Sequence, residues 1–273
     1  LALARRILGP APGALVAALW FAVHPVHVEA VAGVVGRAEL LAALGYLTAV
    51  LAYLAEGSET TRAPGGVRRA LLALAVLVGA AIGFGGKEHA LTLPAALLLP
   101  DGWAAHQRGE PLVAAFRRHA IVWCAVVALA AGYLAARSAV VGTALGSGNV
   151  AAGLDGLNVA GRAMVMAPGV LVWTRLLLWP ARLSADYGPD AFAVRTSFTL
   201  AHALAAATLV GAALFAWGLR RRAPGVLVGC LWFIVTASVA TNIVVPTGVM
   251  IAERVLYLPS VGVAMAAGAL WSM

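Results

Sequence analysis

The chain has 273 residues, of which 62% are hydrophobic and only 11% charged, with a formal net charge of +8. Soluble domains carry roughly 25% charged residues, so this composition excludes an ordinary soluble enzyme. A mean hydropathy of +0.93 points instead to a polytopic membrane protein, built of helices because lipid offers no partner to unpaired backbone groups.

The chain starts at Leu1 rather than Met and ends at Met273 inside an apolar run, so it reads as a piece cut at both ends, without a signal-peptide pattern. Apolar runs over 8–26, 38–55, 69–86, 89–105, 119–137, 198–219, 224–243 and from 257 onward predict about eight spans in one all-α membrane domain. Cys124 and Cys230 lie within such runs, so no disulfide framework is expected.

Basic residues gather in short clusters: Arg5-Arg6, then Arg62, Arg68 and Arg69, then Arg108, Arg117 and Arg118, then Arg220 to Arg222. Such clusters between spans are a topology signal and not a nucleic-acid surface, and no nucleic-acid partner is expected. If all of them face the cytoplasm, the stretch 159–183, with Arg162, Arg175 and Arg182, does not cross. It then reads as an interfacial or re-entrant helix. Most acidic residues fall on the opposite side, beside bases or histidines at the mouths of spans.

The first such mouth is HPVHVE, 24–29. Pro25 biases His24 out of the helical region, which predicts a helix end or kink. His24 and His27 would then be either interfacial caps or part of a proton-transfer or anion site. His-x-x-His without further ligands is a weak metal signal. In GRAELL, 36–41, Arg37 and Glu39 open the next span and point apart, because residues two apart on a helix do not share a face. Ionisable groups at such places are costly and raise a functional hypothesis, against a snorkelling Arg37 and a dipole-favoured Glu39.

GGKEHALTLP, 85–94, follows a glycine-rich helix end, so Lys87, Glu88 and His89 open a short apolar helix. A lysine at a helix N-terminus suits an anion such as phosphate, although the P-loop spacing is absent. SADYGPD, 184–190, offers Asp186 and Tyr187 in a polar loop, and AERVLYLPS, 252–260, offers Glu253, Arg254 and Tyr257 at the entry to the last span. Together these segments predict a polar cavity on the outer side.

In order along the chain, HPVHVEAVAGVVGRAELLA, KEHALTLP, LLLWPARLSADY and ERVLYLPSVG resemble the membrane region of the TMTC family, the transmembrane, tetratricopeptide-repeat-containing O-mannosyltransferases. The resemblance covers nearly the whole chain. It implies a GT-C glycosyltransferase fold, a polyprenyl-phosphate sugar donor, typically mannose, and transfer to Ser or Thr hydroxyls of an acceptor protein on the non-cytoplasmic face. It also implies tetratricopeptide repeats downstream and, for a bacterial relative, an inner-membrane enzyme with its active face to the periplasm. The family's acidic pair lies in its first outer loop, which is expected upstream of Leu1. Within this chain Glu29 and Glu39 are the candidate catalytic carboxylates. The candidate substrate-binding set is His24, His27, Arg37, Lys87, Glu88, His89, Asp186, Tyr187, Glu253, Arg254 and Tyr257.

Guanidinium and ammonium groups could grip and neutralise a departing lipid phosphate, while a carboxylate takes the acceptor's proton. No metal ligand set is assigned, and the residues leave any divalent metal undetermined. A lipid-linked sugar flippase or other transporter is the competing class. A carrier would show repeat symmetry and charges near the midplane, whereas these charges gather at one face.

Overall fold

The computed structural model describes residues 1–10, 12–57, 66–146, 150–184, 187–188 and 192–273, with no side chain described at 104, 106, 107 or 115. Asp186 and Asp190 lie outside the described residues. Most of the described residues are helical, with no strand among them. The chain divides into two compact units, Leu1 with Leu3–Glu39 and Leu145–Met273, and Ala2 with Leu40–Ala144.

In the first unit, helix α1 (Ala2–Leu8) is followed by α2 (Pro12–Val23) and α3 (Val28–Ala32). The predicted break at HPVHVE is present. A 3-10 turn, Pro25–His27, separates α2 from α3, and the two helices are bent by 47°. Proline cannot donate a backbone hydrogen bond and its ring disfavours a helical residue before it, and His24 indeed has extended backbone angles.

Further along, α8 (Val159–Met166) and α9 (Gly169–Leu178) form a second bent pair at 42°. The interfacial or re-entrant stretch is thus a broken helix, interrupted at Ala167-Pro168. The unit closes with α10 (Leu200–Leu219), α11 (Pro224–Ala237) and α12 (Ser260–Trp271).

Helices α2, α11 and α12 form the centre of this unit, with α12 antiparallel to both others. They approach through glycine. A Cβ on Gly229 would collide with the Gly262 carbonyl oxygen, and one on Gly268 would collide with the Gly13 carbonyl oxygen. Small residues allow this close approach where no hydrophobic force drives helices together in lipid. At the far end a core of Val26, Leu154, Trp173, Leu176, Tyr187, Ile251 and Leu256 packs beneath the connecting loops.

The second unit takes most of α4 (Arg37–Gly57), then α5 (Gly66–Gly86), a 3-10 turn at Glu88–Thr92, α6 (Leu93–Arg108) and α7 (Leu112–Val141). A Cβ on Gly45 would strike the Gly79 carbonyl oxygen, so α4 and α5 also meet through glycine. Buried polar groups tie the helices: Tyr53 Oη donates to Asp101 Oδ2 at 2.6 Å, and His119 Nδ1 lies 3.1 Å from Asp101 Oδ1.

Among the described residues four helices are long and apolar enough to cross a membrane, within α4, α5, α7 and α10, or up to six if each bent pair is one span. The protein is thus an integral membrane protein of all-helical class. The count of about eight relied on runs that the backbone shortens. The run 224–243 yields only the 14-residue α11, because Val239–Thr241 turns 3-10 and Asn242 adopts φ 58°. The last run begins with a 3-10 turn at Arg254–Leu256 and yields the 12-residue α12. The run 89–105 starts as a 3-10 turn and yields the 16-residue α6.

Candidate functional site

Where α2 ends and α12 begins, segments from distant parts of the first unit interlock. His24 is the N-cap of the 3-10 turn, its Nδ1 accepting from the Val26 amide at 3.3 Å. Its Nε2 lies 3.1 Å from the Leu177 carbonyl oxygen. An amide can only donate and a carbonyl can only accept, so His24 is the neutral Nε2–H tautomer with both nitrogens engaged. The imidazole joins the end of α2 to the last turn of α9.

His27 Nε2 lies 2.8 Å from Ser260 Oγ, whose hydroxyl donates to the Tyr257 carbonyl at 2.8 Å. Serine has one proton to give, so His27 donates and Ser260 accepts. Tyr257 also packs edge-on against His27, with ring centroids 4.7 Å apart. Burial raises the pKa of the Tyr257 hydroxyl above its ordinary value.

Glu29 and Arg254 form the ion pair of this site. Arg254 Nη1 donates to Glu29 Oε1, and the Arg254 backbone amide donates to Glu29 Oε2 at 2.8 Å. Glu253, one residue away, points elsewhere and is 2% exposed. Its Oε1 accepts from the Ser184 amide and from the Tyr187 hydroxyl, each at 2.7 Å. The sequence presented Glu253 and Arg254 as an acid–base pair, but the 3-10 turn sends their side chains to different partners. Burial first, and then the bond to Glu253, push the Tyr187 hydroxyl up to about 12.

Arg37 is exposed at the first residue of α4, whereas Glu39 is 1% exposed, so the two point apart as their spacing predicts. Lys87, Glu88 and His89 belong to the second unit. There Glu88 accepts from Arg137 Nη2 at 2.8 Å, and Arg137 Nη1 also caps the Thr143 carbonyl at 2.7 Å. Burial opposes charge on Glu88, but its own backbone amide, Lys87 and Arg137 outweigh that and lower its pKa. Burial, then the charge of Lys87, push the His89 ring down to about 4, so it is neutral at physiological pH.

The structure therefore brings together His24, His27, Glu29, Tyr187, Glu253, Arg254 and Tyr257 within the first unit. Two residues were missed from sequence, Arg137 in the second unit and Ser260 in the first. Arg137 had a usable signal, as the one charged residue in the apolar run 120–141. Ser260 had none, being a serine at a helix start like many others. Among the described residues no group of three His, Cys, Asp or Glu side chains is placed to hold a metal ion.

No family model matches the chain, and no solved structure matches it. Among curated proteins, Protein O-mannosyl-transferase Tmtc3 of Drosophila melanogaster is 28% identical over 292 residues, covering 91% of this chain. Tmtc2 of the same organism is 45% identical over 89 residues, covering 33% of this chain and 9% of its own length. Human TMTC4 is 44% identical over 89 residues, covering 32% of this chain and 12% of its own length. The chain spans 30% of the length of Tmtc3. The chain thus resembles TMTC protein O-mannosyl-transferases, over nearly its whole length for Tmtc3 and over about a third of it for Tmtc2 and TMTC4.

Proposed function

We propose that the protein is a membrane glycosyltransferase of GT-C type, which moves a sugar, mannose, from a polyprenyl-phosphate donor to a protein hydroxyl on the non-cytoplasmic face. One observation carries this reading. Three of the four motifs that bear the resemblance, at 24–42, 176–187 and 253–262, meet in a single hydrogen-bonded network. A purely structural bundle has no need for two carboxylates, a guanidinium and two histidines at one helix end.

The chemistry asks for a fixed cation facing the lipid phosphate as it leaves. Arg254 fits that role. Glu29 holds its guanidinium in one orientation, and a guanidinium carries five N–H donors, so donors remain for a phosphate oxygen. Such stabilisation is electrostatic, and a cation already in place costs no reorganisation when charge develops. Lys87 and Arg37 are further candidate cations. The acceptor's proton needs a carboxylate. Glu29 and Glu39 are the candidates in this chain. His24 acts in this reading by holding the turn and His27 by holding Ser260, with Tyr187 and Tyr257 lining the entrance. Asp186 is proposed on its loop position alone.

The test is transfer of labelled mannose from polyprenyl-phosphate mannose to a Ser/Thr peptide by the full-length protein in liposomes. The expected result is transfer that falls at least about tenfold in Arg254→Gln, the order expected for losing one charge-assisted contact in the transition state. Absence of transfer from every polyprenyl-phosphate sugar, with donor lipid instead exchanged between leaflets, would establish the flippase reading.

A further inference from the structure

The opposite end of the first unit carries a different chemistry. Helix α2 runs from Pro12 to the His24 network and α12 runs back from Ser260, so the start of α2 and the end of α12 share one end. There Gly13 packs on Gly268 and Ser272, and Gly225 at the start of α11 packs on Leu8 and Ala269. Ala216, Ala223, Val226 and Ala269 form a small core with Leu8 and Leu219 against it. The tips of α1, α2, α10, α11 and α12 are therefore gathered side by side.

This packing collects charge. Arg5 and Arg6 on α1, and Arg221 and Arg222 after α10, are exposed, and Arg220 is half-buried. None of the segments forming this end, 1–14, 216–226 and 265–273, contains an acidic residue. An aromatic frame accompanies the arginines. Arg220 lies over the Trp217 ring at 4.1 Å and donates to the Trp217 carbonyl at 2.6 Å, while Trp217 and Trp271 are exposed. Indole rings favour the headgroup level of a bilayer, which puts these guanidinium groups at the depth of lipid phosphates.

We infer that this five-arginine end is a binding surface for the headgroups of anionic phospholipids in the leaflet it meets. Charge complementarity carries the inference. Five cations without a carboxylate in the segments that build this end need counter-charge, and guanidinium offers paired donors matched to a phosphodiester. Topology alone would require only positive charge near the span, not a cation stacked on an indole and fixed to a helix end.

Native mass spectrometry of the protein released from nanodiscs of mixed phosphatidylglycerol and phosphatidylcholine tests this. Phosphatidylglycerol is expected to be retained over phosphatidylcholine, with retention falling about fivefold for each arginine removed. The triple variant Arg220→Gln, Arg221→Gln, Arg222→Gln should lose the preference, the corresponding lysine triple should keep most of it, and Arg195→Gln elsewhere on the unit should leave it intact. For the unaltered protein, the preference should also weaken as salt is raised, because exposed charges are screened. No preference in the unaltered protein, a preference indifferent to salt, a glutamine triple that retains it, or displacement of the lipid by inorganic phosphate alone would each overturn the assignment.

Discussion

Glu29 and Arg254 are 225 positions apart in the sequence, yet one carboxylate of Glu29 receives both the guanidinium and the backbone amide of Arg254. The double grip fixes the entry to α12 onto the turn after α2. Both side chains are mostly buried, at 15% and 19% exposed, so the pair is less screened than a surface ion pair. Removing one partner leaves the other charge without compensation. Glu29→Gln is expected to lower stability by about 1.5–3 kcal/mol, read by thermal unfolding in detergent. The exchange Glu29→Arg with Arg254→Glu should recover part of the loss, since the two residues act as one unit.

Glu253 clamps the loop at Ser184 and Tyr187. Glu253→Ala removes the carboxylate that accepts from the Ser184 amide and the Tyr187 hydroxyl and should cost about 2–3 kcal/mol, whereas Tyr187→Phe leaves the Ser184 bond in place and should cost about 1 kcal/mol. The double variant is expected to be no less stable than Glu253→Ala alone, a non-additivity that a double-mutant cycle measures. Full additivity would show that the two groups act independently.

The Glu88–Arg137 pair predicts an acid sensitivity in the second unit. The pKa of Glu88 is lowered in the folded state. Its contribution is therefore fully present above the ordinary glutamate value and is lost as pH falls through the lowered one. Unfolding temperature measured from neutral to acidic pH should fall in the unaltered protein and fall less steeply in Glu88→Gln. The same acid limb in both proteins would assign the sensitivity to other groups.

Close helix approach predicts a steric asymmetry among glycines. Gly229→Ala and Gly262→Ala would press a methyl group into facing backbone, with an expected loss of about 1–3 kcal/mol. At Gly211, on α10, a Cβ meets nothing within 4 Å, so Gly211→Ala should be neutral or slightly stabilising, as alanine is the better helix former. Thermal unfolding of the three variants side by side checks this.

Much of the site was legible because Pro25 and the ionisable residues interrupt an apolar background. The break after Val23 and the opposed directions of Arg37 and Glu39 follow from local rules about proline and helical spacing. The span count was not legible to the same degree. Hydropathy averages over a window and does not register that Asn242 takes a left-handed conformation or that Arg254–Leu256 coils as a 3-10 turn.

What the sequence determined by itself was class, since too few charges leave no soluble alternative, and the resemblance, because four ordered motifs survive in a chain with few distinctive residues. Pairing was decided only by the tertiary structure. Adjacent Glu253 and Arg254 serve different partners, and His24 and His27, one turn apart, bind Leu177 and Ser260. A hydrogen bond depends on direction and distance between chain segments far apart in sequence, and spacing along one segment carries no information about either.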